Sequence, residues 1–208
     1  MVCCSLSSSY WTLLTIEIGL IGGGFDFTPS STQGKDLAAE LAKTRMALSL
    51  SSSDVLPVGF GLITAQPNVL NFVEGVLPIV KEYRVAAVWL FAPPERKIHA
   101  DIIPALKEAG LEWGLKVFVQ VGSVQAAREA AEDGADILVV QGVDAGGHQW
   151  AQGASLITLL PEVVDMLAQE FKNSKVQIIG AGGVMDGRGI AAALVLGKFS
   201  ASKGHVWC

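Results

Sequence analysis

Two glycine-rich segments of this 208-residue chain contain residue types that could do chemistry: GVDAGGH at 142–148 and GAGG at 180–183. Glycine has no Cβ, so the backbone of such a turn can approach a bound anion or a flat ring closely. His148 has an unperturbed pKa near neutrality, which suits proton transfer. Together the two turns predict a site that binds a small ligand and moves a proton.

Each turn follows an apolar run that is typical of a buried strand, at 137–140 and at 176–179. Gln141 ends the first of these runs, and Gln120 ends the strand before it. An amide both donates and accepts hydrogen bonds, which suits the heteroatom edge of a flavin, although either glutamine could instead bind neighbouring backbone. Because the carboxyl ends of parallel strands share one edge, we expect these residues in one active site.

The Gly182-Gly183 pair stands before a helix that Asp186 can cap, so its amides and the helix dipole predict an anion site. A left-handed turn that binds nothing is the alternative. Asp144 could orient His148, but aspartate is common in turns, and we favour the turn. For His99 and His205 we predict no function.

The elements that position these residues are six strand-like runs separated by segments of helical period. The strands are expected at 18–21, 56–63, 85–91, 116–121, 136–141 and 176–179. This alternation predicts a parallel α/β sheet in one domain over residues 1–208. A doubly wound sheet would place its ligand at Gly22–Gly24, whereas a TIM barrel spreads ligand residues over several strand ends. The observed spread favours the barrel.

Composition excludes several classes of function. The net charge is −5, the pI is about 5.2 and no Lys/Arg cluster occurs, so nucleic-acid binding is not expected. No apolar run is long enough for a transmembrane helix. The three cysteines lie at the two ends of the chain without metal-ligand spacing, which favours a cytoplasmic protein without a metal site.

The segment VVQGVDAGGH at 139–148 resembles the Q-G-x-[ED]-A-G-G-H signature of nitronate monooxygenases, formerly called 2-nitropropane dioxygenases. The resemblance continues through IGAGGVMDGRGIAAAL at 179–194 and covers roughly residues 18–197. It implies an FMN enzyme on a (β/α)8 TIM barrel.

The resemblance also implies roles for individual residues. His148 is then the catalytic base, and the predicted cofactor-binding residues are Gln120, Gln141, Gly146, Gly147, Gly182 and Gly183. The implied reaction converts alkyl nitronates or nitroalkanes and O2 to carbonyl compounds and nitrite.

The two ends of the chain, 1–17 and 198–208, depart from the family's pattern. The family's first strand ends in a Pro-Met-like motif and its eighth in a Gly-Thr-Arg-Phe-like phosphate motif, and neither occurs here. We therefore expect an incomplete barrel with the equivalents of strands two to seven, FMN binding that is weak or absent, and little activity. An FMN-dependent enoyl-thioester reductase and an inactive truncated relative are the alternatives.

Overall fold

Strands and helices alternate along the chain in the computed structural model, which describes residues 19–20, 32–65, 72–146, 149–197 and 204–206. In chain order the elements are β1 (Gly19–Leu20), α1 (Thr32–Ala47), β2 (Leu56–Ile63), α2 (Phe72–Gly75), α3 (Leu77–Tyr83), β3 (Val85–Phe91), α4 (Arg96–Ala109), β4 (Lys116–Val121), α5 (Val124–Glu132), β5 (Ile137–Gln141), α6 (Leu156–Glu170), β6 (Gln177–Ala181), α7 (Gly187–Leu196) and β7 (Gly204–Val206). The chain divides into two compact units, with the boundary between Val117 and Phe118.

The N-terminal unit contains β1, β2 and β3, which pair in that order and in parallel. Their apolar side chains, together with those of α1 and α4, form its core, in which Leu37, Phe60, Leu90 and Ile103 are fully buried. Parallel strands need helices on their faces, which is why these strands are nearly continuous apolar runs.

The C-terminal unit contains the parallel pairs β4–β5, β5–β6 and β6–β7. All five residues of β5 are buried. Helices α5 and α6 are joined at the surface by a bidentate ion pair from Arg128 to Glu170, with N–O distances of 2.6 and 2.9 Å. The site-bearing strand is thus the most enclosed strand described in this unit.

The strand order within each unit follows the chain, so neither unit has the reversal of a doubly wound sheet. The sequence analysis predicted six strands, but residues 204–206 of the atypical C-terminal segment form a seventh, β7, on the edge of β6. An edge strand offers unpaired backbone donors and acceptors, and three residues can bind them without any alternation of side chains.

The N-cap predicted at Asp186 is confirmed, and a second side-chain N-cap, at Ser123, begins α5. Ser123 accepts a hydrogen bond from the Ala126 amide (3.1 Å), and Asp186 accepts two at the start of α7. Ser155 occupies the N-cap position of α6, but its side chain makes no capping bond. Two short helices, α2 and α3, precede β3, and Pro78 lies in the first turn of α3.

A buried polar cluster in the N-terminal unit links the carboxyl ends of β2 and β3. The Thr64 hydroxyl lies 2.8 Å from the Phe91 carbonyl oxygen and 2.9 Å from His99 Nε2. His99 is 5% exposed, and this burial lowers its pKa to about 4. The histidine that the sequence left without a role is therefore a neutral core residue.

We predict that His99 makes the chain sensitive to acid. Above its unfolded pKa of about 6.5, His99 is neutral in both states and contributes nothing to the pH dependence. Between pH 6.5 and 4 only the unfolded state binds the proton, so the free energy of unfolding falls by up to about 3 kcal/mol. In His99→Gln, which keeps an amide beside Thr64, urea titrations over this range should show a smaller fall. An unchanged pH dependence would contradict the assignment.

Candidate active site

The two glycine turns found in the sequence lie against each other at the carboxyl ends of β5 and β6. The Gly142 amide donates to the Ala181 carbonyl oxygen at 3.0 Å. Gly182 and Gly183 have φ angles of +89° and +73°, which L-residues rarely adopt. The predicted proximity of the two motifs is confirmed.

The packing of this contact leaves no room for side chains at the second turn. A Cβ on Gly182 would lie 2.7 Å from the Cβ of Ala145, and a Cβ on Gly183 would lie 2.7 Å from the Cβ of Asp144. Both distances are far below ordinary van der Waals contact. Glycine is therefore required at both positions, because the φ angles are positive and because the other turn approaches so closely.

The amino end of α7 is already occupied by its own cap. Asp186 accepts from the amides of Arg188 (2.9 Å) and Gly189 (3.4 Å). The Arg188 guanidinium, followed by these two amides, lowers the pKa of Asp186 and keeps it ionised. An anion at this edge would therefore depend on the amides of Gly182 and Gly183 more than on the helix terminus.

The two glutamines predicted to bind a cofactor form a pair. Gln120 Nε2 donates to Gln141 Oε1 at 2.7 Å, joining the ends of β4 and β5. Gln141 is 9% exposed. A buried amide oxygen held in this way is fixed in orientation, so the pair presents a defined donor and acceptor pattern.

Asp144 does more than form a turn. Its Oδ2 accepts a hydrogen bond from the Leu156 amide at 3.3 Å, at the start of α6 where Ser155 makes no capping bond. A Cβ on Gly142 would lie 2.3 Å from the same Leu156 nitrogen. The turn is thus fastened to the amino end of α6 by the aspartate and by the absence of a side chain at Gly142.

The residues that follow His148 in the chain lie against the turn after β4, which the sequence analysis did not foresee. The Trp150 indole lies over the backbone of Gly122, where an added Cβ would be 2.1 Å from Trp150 Cδ1. Gly122, Ser123, Ala126, Trp150 and Gln152 line a recess beside it. The sequence signal was present, since a glycine directly after a strand leaves room for a large neighbour.

The remaining predicted residues divide into two groups. Gly146 is exposed, and a Cβ there would meet no heavy atom within 4 Å. Gly147 and His148 lie outside the described residues. The structure therefore brings Gln120, Gln141, Gly182 and Gly183 to the same edge of the C-terminal unit, and the role of His148 stays a prediction.

Among the described residues, no three His, Cys, Asp or Glu side chains come together as metal ligands. Within the same ranges, no helix has the length and apolar composition needed to cross a bilayer.

Comparisons with known proteins point to one family. The nitronate monooxygenase family model matches residues 62–204. A nitronate monooxygenase of Neurospora crassa is 44% identical over 194 residues, which cover 86% of this chain and 50% of that protein. The nitronate monooxygenase npaC of Metarhizium robertsii is 36% identical, covering 88% of this chain and 51% of that protein. The chain thus spans about half the length of these relatives.

A solved structure supports the fold. FabK from Thermotoga maritima superposes with a TM-score of 0.62 at 24% identity, covering 97% of this chain and 61% of that one. The predicted α/β architecture, part of a TIM barrel, is confirmed. With the family model matched over more than half of its length, the chain belongs to the nitronate monooxygenase family of oxidoreductases.

Proposed function

We propose that this chain binds FMN at the carboxyl ends of β4, β5 and β6 and oxidises alkyl nitronates and nitroalkanes with O2 to carbonyl compounds and nitrite. The observation that carries this proposal is the contact between the two glycine turns, with Gln120 and Gln141 paired beside it. Family membership and the predicted roles of these residues point to the same reaction.

The residues at this edge fit a flavin nucleotide. A flat ring needs a defined pattern of donors and acceptors at its heteroatom edge, which the Gln120–Gln141 pair can supply. A phosphate needs closely approachable backbone amides, and Gly182 and Gly183 offer a turn where no Cβ stands in the way. We call this phosphate-binding turn the cradle. Gly146 and Gly147 would extend it, and a Cβ on Gly146 would meet no heavy atom within 4 Å.

Two carboxylates lie near the two glycine turns, and both are hydrogen-bonded within the protein. Asp144 accepts from the Leu156 amide, and Asp186 is bound by its own helix and by Arg188. The site would recognise the anion through neutral donors.

FMN, when bound, would supply the redox chemistry with O2. The contribution of this chain is to orient the ring through the two glutamines and to hold the substrate carbon near it. His148 would take the α-proton from a neutral nitroalkane, whereas a nitronate has already lost that proton. The substrate partners are accordingly small molecules and O2, and we place the protein in the cytoplasm.

We predict that His148→Ala separates the two substrate forms. With FMN added in excess, the rate of nitrite release from a neutral nitroalkane should fall about 100-fold or more, because general-base catalysis contributes at least that factor. The rate with the corresponding nitronate should change little. The measurement is nitrite formation from each form under identical conditions, with flavin absorbance to establish equal loading.

Two other outcomes would reject the proposal. Flavin reduction by a nicotinamide cofactor in the presence of an enoyl thioester, without nitrite release, would favour the reductase. Failure to bind FMN at any concentration, without turnover, would favour an inactive relative.

Two single glycine-to-alanine substitutions, at Gly183 and at Gly146, test the phosphate cradle. Gly183→Ala should lower the free energy of unfolding by about 1–3 kcal/mol, since alanine is strained at φ +73° and its Cβ would overlap Asp144. Gly146→Ala, with open space around it, should change stability by less than about 0.5 kcal/mol and weaken only FMN binding. Urea unfolding and FMN titration measure the two effects. Equal loss of stability in both variants would contradict the geometry.

A further inference from the structure

We infer that the connection between β3 and α4, residues 92–95, is a strained hinge that a latch holds closed. The latch is the set of hydrogen bonds that Thr64 makes to Phe91 and to His99. This device lies wholly in the N-terminal unit and does not depend on a bound flavin, so it goes beyond the proposed function.

The backbone of Ala92 is strained. Ala92 is the first residue after β3, and its φ angle is +53°. This left-handed conformation is unfavourable for an L-residue with a Cβ. The next residue is Pro93, and a proline favours extended backbone at the residue before it. Ala92 is therefore held against two local preferences.

The position of Ala92 separates it from the other strained residues. Among the described residues, the other non-glycine positions with positive φ are Ser49 at +54° and Arg84 at +45°. Both follow the carboxyl ends of helices, α1 and α3, where a left-handed residue is a common way to end a helix. Ala92 follows a strand instead, at the edge where parallel α/β folds place functional residues. Backbone strain of this kind is typical of switch regions and ligand clamps.

The Thr64 hydroxyl joins the two ends of the hinge. It donates to the carbonyl oxygen of Phe91, the residue before Ala92, at 2.8 Å. Because its one hydrogen is used there, the hydroxyl oxygen accepts from Nε2 of His99 at 2.9 Å, in the first turn of α4. The Thr64 amide adds a bond to the same Phe91 oxygen at 2.7 Å. Thr64 and His99 are both buried, so water does not compete for these bonds.

With its two ends fixed, the hinge can change direction only at Ala92. The rings of Pro93 and Pro94 fix their own φ angles near about −65°. Glu95 is extended, with φ −149° and ψ 151°. The left-handed turn from strand to helix therefore falls on Ala92, the one residue of the four that is neither proline nor extended.

Release of the latch removes the reason for the strain. Once Thr64 no longer joins Phe91 to His99, Ala92 can leave the left-handed region and the connection can open. Hinges in proteins are short connections in which a few terminal residues absorb such a change in φ. Opening at the end of β3 is thus favoured by relief at Ala92 and opposed by the bonds of Thr64.

The experiment is a double-mutant cycle between the latch and the strained residue. Thr64→Val removes the hydroxyl and keeps the shape of the side chain, and Ala92→Gly removes the penalty for positive φ. Ser49→Gly is the matched control, because Ser49 has nearly the same φ but lies at the end of α1. Urea titration gives the unfolding equilibrium constant of each glycine variant, alone and combined with Thr64→Val.

Ala92→Gly should lower the unfolding equilibrium constant of the native chain about two- to fivefold, because relief of strain exceeds the entropic cost of glycine. In the Thr64→Val background it should give no decrease, since Ala92 has already relaxed there. Ser49→Gly should have the same effect in both backgrounds. An equal decrease from Ala92→Gly in both backgrounds overturns the inference, and so does no decrease in the native chain.

Hydrogen exchange tests the hinge without a Thr64 variant and so does not require that Thr64→Val folds. Exchange of the peptide covering 91–99 should be about two- to fivefold slower in Ala92→Gly, because opening no longer relieves strain. In Ser49→Gly the exchange of this peptide should not change. Unchanged exchange in Ala92→Gly overturns the inference, and so does equal slowing in both variants, which would report global unfolding rather than a hinge.

Discussion

The close approach of the two glycine turns is the constraint on which the candidate site depends. Gly182 and Gly183 lie so near Ala145 and Asp144 that any side chain would collide, and both need positive φ. Because of this contact, the ends of β5 and β6 cannot be displaced independently. The same contact places Asp144 within reach of α6, where it replaces the cap that Ser155 does not provide. One backbone contact thus fixes two strand ends and a helix start.

A second consequence concerns how an acidic chain could bind a phosphate. The chain carries a net charge of −5, and Asp144 and Asp186 both lie close to the proposed cradle. Each carboxylate is engaged by backbone amides, and Arg188 additionally pairs with Asp186. Backbone amides carry no net charge to be screened, so recognition through them depends on geometry more than on ionic strength. Glycine, which permits that geometry, is therefore the residue type to expect.

Much of this arrangement could be predicted from the sequence, because it depends on local chemistry. Apolar runs predicted the core strands, and glycines after strand ends predicted the turns that meet. Tertiary contacts could not be read in the same way. The β7 strand forms because it pairs with the edge of β6, and no alternation of apolar and polar residues in its own sequence indicates it. The pairing of Gln120 with Gln141 also depends on the fold, which brings these two side chains together.

His99 shows why residue type alone does not separate catalytic from structural histidines. Nothing in its sequence neighbourhood distinguishes it from a solvated side chain, yet it is buried against Thr64 and its pKa is lowered to about 4. A histidine with this pKa is neutral throughout the range in which a general base works, and it has no role in a titration near pH 6.5. An ionisation near neutrality therefore belongs to a group other than His99.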